Sequence, residues 1–213
     1  MSLQEICQQF VSDMRNTTWL EYIAVITGIA SVWFSRLENI WLYPVGLVNT
    51  IIYIYLSVKA HLFGEASVNF YYTVMSIYGW ILWARKDQQH KPVLAITTAT
   101  RRQWIQHLAF FAVFYVILFY GLGWLKEHTK EASGVIPWAD AFASAAAYTG
   151  MWLMAKKKVE SWYWWLATDL ISIPLYFVKH YVFTSVYYLV LLAMAVFGLI
   201  EWMRKAKLAA AEQ

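Results

Sequence analysis

Seven stretches of mainly apolar residues divide this chain of 213 residues and limit what it can fold into. They cover residues 18–35, 40–58, 64–84, 104–125, 138–155, 162–178 and 184–203. A helix of roughly 20 apolar residues crosses the hydrocarbon core of a bilayer, where every backbone N–H must be bonded within its own segment. The sequence therefore predicts an all-α integral membrane protein with seven transmembrane helices.

The composition agrees with lipid as the main solvent of the chain. Hydrophobic residues make up 61% of it and charged residues 14%, whereas a soluble domain carries about 25% charged residues. The 13 Trp and 15 Tyr exceed what lipid contact requires, because Leu, Ile and Val cover lipid equally well. We expect some of these rings in belts at the membrane interfaces and others in the lining of a cavity, two uses that composition alone does not separate.

Basic residues predict how the chain is oriented in its membrane. Twelve of the 17 Lys and Arg residues lie on one side of the predicted spans, among them Lys156, Lys157 and Lys158, and five lie on the other. Because cytoplasmic loops hold the excess, residues 1–17 are predicted outside, and the loop 85–103 and the tail 204–213 in the cytoplasm. The net charge of +4 then follows from topology and requires no nucleic-acid partner.

The first three and the last three predicted helices share residues at nearly constant spacing, which indicates an internal repeat. The offset between matched residues drifts from 122 to 119 along the chain. The matches are Thr27–Gly28 with Thr149–Gly150, Glu38 with Glu160, Trp41 with Trp162, Asn49 with Asp169, Lys59 with Lys179, Phe63 with Phe183, and GWILWARK with GLIEWMRK.

An odd number of helices per unit fixes how the two units are related. Three helices in each unit and one between them give both units the same orientation, so the repeat is parallel with its axis along the membrane normal. The expected organisation is a first three-helix bundle over 18–84, a linker helix over 104–126 and a second bundle over 138–203. Transporters bind substrate at such repeat interfaces near the middle of the membrane.

An acidic residue near the middle of the sixth predicted helix is the first candidate for a binding site. A charged side chain there costs roughly 2.5 to 3.5 kcal/mol, so it usually faces a cavity or a partner. Helical spacing places four residues on the face of Asp169, namely Trp162, Trp165, Ser172 and Tyr176. This pattern predicts aromatic rings around one carboxylate.

The first repeat supplies polar and aromatic residues at related depths. Asn49 lies halfway through the second predicted helix, with Tyr53 one turn after it and Trp41 two turns before it, and Asn69 and Tyr72 lie in the third. Rings for stacking, a carboxylate for charge and amides for hydrogen bonds suit a flat, polar, positively charged ligand.

Structural roles are open alternatives for the same side chains. Asn49 and Asn69 would equally bond neighbouring helices. Trp41 and Trp162 lie near the cytoplasmic interface, where a belt residue is expected, and Asp169 would pair with a polar neighbour such as Ser172 or Tyr176.

Three further residues are candidate hinges or gates. Pro44 and Pro174 interrupt the second and sixth predicted helices close to the predicted site, as either hinges or static kinks. Asp140, near the outer end of the fifth, either caps that helix or lies at the mouth of the pathway.

Catalytic and cofactor motifs are absent from the sequence. It has no phosphate-binding glycine loop, no HExxH and no GxSxG, and its five histidines lack the spacing of metal ligands. The seventh predicted helix has no lysine to hold retinal. We therefore expect neither an enzyme nor a cofactor.

Several segments together resemble the PnuC family of bacterial nicotinamide riboside transporters, over about residues 19–205. They are NIWLYPVGLVNTIIYIYL, IYGWILWARK and WADAFASAAAYTGMWLMAKKKVESWYWWLATDLIS. The family often has Trp followed four residues later by Asn, whereas here Trp165 is followed by Asp169, and Asn69 stands where Gln is common.

The resemblance implies a fold, a function and a set of site residues. The fold would be similar to the sugar-transporting SWEET proteins, with two parallel three-helix bundles, a linker helix and a homotrimeric assembly. The function would be facilitated diffusion of a vitamin precursor that a cytoplasmic kinase then traps. Binding residues would be Asn49, Asn69, Trp165 and Asp169. Relatives of this fold carry thiamine, whose thiazolium suits a carboxylate as well as the pyridinium of the riboside, and a membrane receptor or scaffold without transport is the alternative from another class.

Overall fold

Eight α-helices make up the regular structure of the described chain. The computed structural model describes residues 3–59, 63–89, 92–130 and 134–211. The helices are α1 (Leu3–Asn16), α2 (Trp19–Arg36), α3 (Leu42–Lys59), α4 (Phe63–Ala84), α5 (Arg101–His128), α6 (Pro137–Ala155), α7 (Ser161–Val178) and α8 (Val182–Ala211). Helices α2 to α8 correspond one to one to the seven predicted spans, because long apolar runs ended by charged or capping residues leave little freedom in where a helix lies.

Helix α1 is an element that the sequence analysis did not predict. It is bent by 107° from α2 and packs beside the start of α8. The Phe10 and Phe183 ring centroids are 5.8 Å apart, and the Phe183 N–H donates to the Asp13 carboxylate at 3.2 Å. A mainly polar composition concealed this helix, because its few apolar residues do not form the long apolar run of a membrane span.

Three of the described helices are long and apolar enough to cross a membrane by length and composition alone. These are α3, α5 and α8, and the bent pair of α1 and α2 passes the same test as one broken span. Helices α4, α6 and α7 are less apolar because they carry many Tyr, Trp and small residues. The chain is thus multi-pass and all-helical.

Six helices contact one another in a ring. The order of contacts around it is α2, α3, α4, α6, α7, α8 and back to α2. Helix α5 packs on α6 outside this ring, and α1 packs on α8. The contact of α4 with α6 and that of α8 with α2 join the first three helices of the ring to the last three.

The hydrogen bonds of the two halves repeat at one constant offset of 119 residues. The turn after α2 has Asn39 N–H donating to Phe34 O, and the turn after α6 has Lys158 N–H donating to Leu153 O. The ends of the helices obey the same offset, since α3 spans Leu42–Lys59 and α7 spans Ser161–Val178. The internal repeat is therefore present in the backbone.

This constant offset corrects the drifting offset inferred from the sequence. The Asn49 amide donates to Ala24 O at 2.6 Å, and at the equivalent place in the second half the Thr168 hydroxyl oxygen lies 3.4 Å from Ala143 O. Asn49 thus corresponds to Thr168, and Asp169 corresponds to Thr50. One residue on a helix is a rotation of about 100°, so the earlier pairing of Asn49 with Asp169 matched side chains on different faces.

A second correction concerns the loop ends that were matched as Glu38 and Glu160. Glu38 has φ 61° and Lys157 has φ 50°, and these two residues are separated by the common offset of 119. Glu38 therefore corresponds to Lys157. The two Thr-Gly pairs resemble each other in sequence without occupying equivalent positions.

The core of the bundle lies at the end where α2, α4, α6 and α8 have their C-termini. This end is called the basic end here, because Lys156–Lys158 lie there. Tyr43 packs over Gly79 in the first half, and Trp162 packs over Gly198 at the equivalent place in the second. Each of these rings also meets a tryptophan edge to face, Tyr43 with Trp83 at 5.3 Å and Trp162 with Trp202 at 5.6 Å. A glycine is needed at both sites because a Cβ would overlap the ring.

The connection between α4 and α5 covers this end of the core. Thr97 forms a parallel bridge with Lys158, and Ala99 N–H donates to the Glu160 carboxylate at 2.7 Å. Ile96 is 4% exposed and packs in the same cluster as Trp83 and Trp162. Part of the predicted basic loop is thus fastened to the turn between α6 and α7; Lys91, which was counted in that loop, lies outside the described residues.

The two prolines do not interrupt their helices as the sequence analysis expected. Pro44 lies in the first turn of α3, where the missing N–H has no partner to lose. Pro174 lies inside α7, which continues through it to Val178. Neither position is a break in this conformation.

Candidate functional site

Asp169 is the buried ionisable side chain on which the candidate site is centred. It lies in the middle of α7 and is 3% exposed. Among the described residues no hydrogen bond or ion pair reaches its carboxylate. Because an ionised carboxyl inside a membrane protein normally pairs with another group, this acid is the place where a ligand is most expected.

Aromatic side chains from α4, α6 and α7 form a cluster that includes Trp165, one helical turn before Asp169. The Tyr72 ring centroid is 6.4 Å from that of Trp165 and 6.2 Å from that of Tyr148. Trp165 is held against Gly150 of α6, where an added Cβ would lie 3.2 Å from the indole. The predicted neighbours Tyr72 and Trp165 are thus brought together, and Tyr148 joins them.

Two tyrosines of α8 also lie near the acid. Tyr187 and Tyr188, like Tyr72, lie close enough to Asp169 for electrostatic interaction. Tyr188 stacks on Tyr176, with ring centroids 5.2 Å apart and an interplanar angle of 13°. Rings from at least three helices therefore lie near one carboxylate.

The Asn49 amide and the Tyr187 hydroxyl meet over a glycine of α2. A Cβ on Gly28 would lie 2.5 Å from the Tyr187 hydroxyl oxygen and 2.9 Å from Asn49 Nδ2. The Asn49 amide also donates to Ala24 O, so one of its two hydrogens is used in fixing α3 to α2. Asn49 therefore bonds a neighbouring helix, which is one of the two predicted alternatives. Its amide also lies near the Tyr187 hydroxyl.

The remaining predicted residues of the inner stripe are placed as follows. Asn69 donates to Glu65 O of its own helix at 3.0 Å. Ser172 is 2% exposed, one turn beyond Asp169 on α7. Tyr53 of α3 is half-buried and lies within electrostatic range of Tyr176 and Tyr187.

Trp41 and Trp162, predicted either as binding residues or as belt residues, lie outside this cluster. Trp41 is 60% exposed in the turn before α3. Trp162 is 1% exposed and packs in the basic-end core over Gly198. Trp162 lies about two helical turns before Asp169 on the same face of α7, so helical spacing identified its face and left its depth open.

Asp140 has both a capping role and an ion pair. Its carboxylate accepts the Ile136 N–H at 2.6 Å, at the start of α6. Lys179, just after α7, donates to both oxygens at 2.7 and 2.9 Å. The capping role that the sequence analysis proposed for Asp140 is present, and the pair ties the ends of α6 and α7 together opposite the basic end.

Two open concavities, of about 500 and 380 Å³, lie along α1. Neither is lined by a residue of the Asp169 cluster. A cavity of ligand size beside Asp169 remains a prediction for the conformation that holds a ligand.

The sequence analysis missed Tyr148, Tyr187 and Tyr188. The constant offset is the signal that finds one of them, because Tyr188 occupies in α8 the position of Asn69 in α4. With the rings and the acid together, the arrangement suits stacking of a flat ring and compensation of one positive charge, and it offers no nucleophile paired with a base.

Comparison with known proteins agrees with this arrangement. The profile of the nicotinamide mononucleotide transporter family matches residues 18–204. The riboflavin/roseoflavin transporter RibM of Streptomyces davaonensis is 24% identical over 94% of this chain and 92% of its own. The nicotinamide riboside transporter PnuC of Escherichia coli is 22% identical over 89% of this chain and 87% of its own.

The fold is also that of a solved transporter. The crystal structure of the vitamin B3 transporter PnuC superposes with a TM-score of 0.72 at 24% identity, covering 96% of this chain and 89% of that one. At this identity the likeness establishes the fold alone, and the profile match over most of the chain establishes the family. The chain belongs to the nicotinamide mononucleotide transporter family, the PnuC family of multi-pass membrane vitamin transporters, and is not an enzyme.

Proposed function

We propose that this protein imports nicotinamide riboside across the bacterial inner membrane as a uniporter. A cytoplasmic kinase then phosphorylates the imported riboside and so traps it for NAD synthesis. The observation that carries the proposal is Asp169, buried among aromatic rings without a hydrogen-bonding or ionic partner in the described chain. The pyridinium of the riboside is flat and positively charged. Stacking on Trp165 or Tyr72 and attraction to the carboxylate would offset the loss of hydration of that cation.

The proposed architecture is the 3+1+3 arrangement in the membrane. Helices α2–α4 and α6–α8 form two parallel three-helix bundles joined by α5, with the N-terminus outside and the C-terminus in the cytoplasm. The repeated hydrogen bonds at an offset of 119 residues support the parallel relation. The apolar outer face of α5, on which Ile105 and Ile117 are about 60% exposed, suits contact with lipid or with other protomers of a homotrimer.

Alternating access is the proposed mechanism. The substrate would enter from the end that holds Asp140 and Lys179, bind beside Asp169, and leave after the basic end opens. Asn49, Asn69, Tyr53, Tyr72, Trp165, Ser172 and Tyr176 stay the proposed binding residues from the sequence, with Tyr148, Tyr187 and Tyr188 added from the structure. Pro44 and Pro174 stay hinge candidates because they lie in α3 and α7, and these helices must move during alternating access.

Riboflavin is the second candidate substrate, and the likeness to RibM favours it. Its ring system is larger and uncharged, so it would stack on the same rings without using the charge of Asp169. Thiamine, also a cation, is the third candidate. A receptor or scaffold that binds without transport is the alternative from another class.

Uptake into proteoliposomes separates these possibilities. Vesicles that enclose a nicotinamide riboside kinase and ATP should accumulate the label of nicotinamide riboside in phosphorylated form, and empty vesicles should only equilibrate the riboside. Accumulation of riboflavin or thiamine with their own kinases, and none of the riboside, would contradict the proposed substrate. Binding without any uptake would favour the receptor.

A further inference from the structure

Glu38 and Lys157 occupy equivalent positions in the two repeats and form an ion pair with each other. They lie 119 residues apart, each with a left-handed backbone conformation just beyond the end of its helix. Lys157 Nζ is 2.7 Å from Glu38 Oε1. Residues that meet their own repeat mates must lie on the axis that relates the two halves. The pair therefore marks where the halves meet at the basic end.

This ion pair is more protected than a surface pair. The Lys157 side chain is 5% exposed, and its ammonium lies 4.6 Å from the centroid of the Trp83 ring. Lys205 of α8 donates to the second Glu38 oxygen at 3.1 Å. The Glu38 carboxylate thus joins cations from α8 and from the turn after α6. Salt screens the pair of Glu38 and Lys157 weakly, because the Lys157 side chain is shielded from water.

A second set of contacts lies one turn deeper on the same axis. Ser35 and Met154 are repeat mates, and the Ser35 hydroxyl is 2.9 Å from the Met154 sulfur. The Trp202 indole donates to Ser35 O at 3.0 Å, and Trp83 donates to Ala155 O at 3.2 Å. Both indole bonds run from one half to the other in opposite directions.

We propose that Glu38, held by Lys157 and Lys205, is the lock of a gate at the basic end, and that this gate is closed in the present conformation. The proposal rests on the alternating-access transport proposed above. Opening the basic end requires the two halves to separate where Ser35 faces Met154, and Glu38 is the charged contact that opposes this. A lock of this kind holds the halves by interactions that are absent once they part, so its removal shifts the population toward the open state.

Thiol labelling tests the gate without any substrate. Cys7 is the only cysteine of the chain, so Cys7→Ser gives a cysteine-free background. In that background Ser35→Cys places one thiol in the layer beneath the ion pair, where the side chain is 4% exposed. A membrane-impermeant maleimide, added to either face of membrane vesicles, reports how often this layer opens. Leu208→Cys, 59% exposed in α8, identifies the face on which the basic end lies.

The variant that removes the lock is Glu38→Gln, and Glu201→Gln is its matched control. Glu201 pairs with Arg204 of its own helix at the same end, and this pair joins no two halves. Labelling of Ser35→Cys from the basic side should become about tenfold faster with Glu38→Gln, a modest shift in an open-closed equilibrium, and should not change with Glu201→Gln. Glu38→Asp, which keeps the charge, should label more slowly than Glu38→Gln.

Three results would overturn the proposal. They are an unchanged labelling rate in Glu38→Gln, an equal increase from both faces of the membrane, and the same increase in Glu201→Gln. Labelling is measured well below the thermal unfolding temperature of each variant, so that faster labelling is not unfolding. Because no vitamin is added, a wrong substrate assignment leaves this outcome untouched and appears only in the uptake experiment.

Discussion

Thr50 and Asp169 occupy equivalent positions in the two repeats, and only the Thr50 side chain has a hydrogen-bond partner in another helix of the described chain. Thr73 donates its hydroxyl to Thr50 Oγ1 at 2.9 Å, whereas the described chain supplies no such partner for Asp169. In the first half of the ring, the side chain at this depth thus has a partner within its own bundle. The second half presents a carboxylate, so recognition of a charged ligand is expected to be one-sided although the backbone is repeated.

Glycine at the ring-packing positions is expected to be essential for stability. Gly198→Ala should lower the free energy of unfolding by about 1–3 kcal/mol, because its Cβ would overlap the rigid Trp162 indole in a packed core. Gly79→Ala should cost a similar amount through Tyr43. Thermal unfolding of the purified protein measures both. Gly121→Ala is the control, since nothing lies within 4 Å of the added Cβ, and equal stability of all three variants would show that the ring packing is wrong.

The close approach of α8 to α2 depends on Gly28. Gly28→Ala should weaken vitamin binding several-fold, because its Cβ would lie 2.5 Å from the Tyr187 hydroxyl and push that ring from the Asp169 cluster. Adding Tyr187→Phe removes the nearest atom and should restore most of the packing, as thermal unfolding of the double variant will report. If the double variant is no more stable than Gly28→Ala alone, the contact between Gly28 and Tyr187 is not the cause.

The ion pair at the end opposite the basic end should contribute measurably to stability. Asp140→Asn keeps an acceptor for Ile136 N–H and loses the charge that faces Lys179, so we expect a loss of about 1 kcal/mol in the free energy of unfolding. The exposed Glu201→Gln should have no measurable effect, because water replaces its partner. Chemical denaturation of both variants in the same detergent makes the comparison. An Asp140→Asn protein as stable as the parent would remove this pair from the account.

Helix positions were predictable from the sequence because lipid demands long apolar runs. Each predicted span lies within a few residues of an observed helix for α2, α3, α4, α6 and α7. Helices α5 and α8 extend further than predicted, to His128 and Ala211, since basic residues near the ends of membrane helices continue the helix into water. Helix α1 escaped prediction because its few apolar residues are separated by polar ones.

The site was predictable in part, and the limit was the register of the repeat. Asp169, Trp165 and Tyr72 were found from helical spacing and do lie together. Matching similar letters aligned Asn49 with Asp169, and the error of one residue concealed the equivalence of Tyr188 with Asn69. Hydrogen bonds fix the register, and a sequence does not contain them. Depth is the second quantity that spacing leaves open, which is why Trp162 was assigned to the site and lies in the core.

Calorimetric titration of the purified protein measures whether Asp169 binds a positively charged vitamin, with nicotinamide riboside and riboflavin as ligands and Asp169→Asn as the variant. Nicotinamide riboside should bind the parent protein, and Asp169→Asn should weaken this binding by about ten- to a hundredfold, because a charge-assisted contact of about 1.5–3 kcal/mol is lost. Asp140→Asn, which removes a carboxylate outside the ring cluster, should leave the affinity unchanged. Tight binding of riboflavin alone, or unaltered affinity for the riboside in Asp169→Asn, would contradict this role of Asp169.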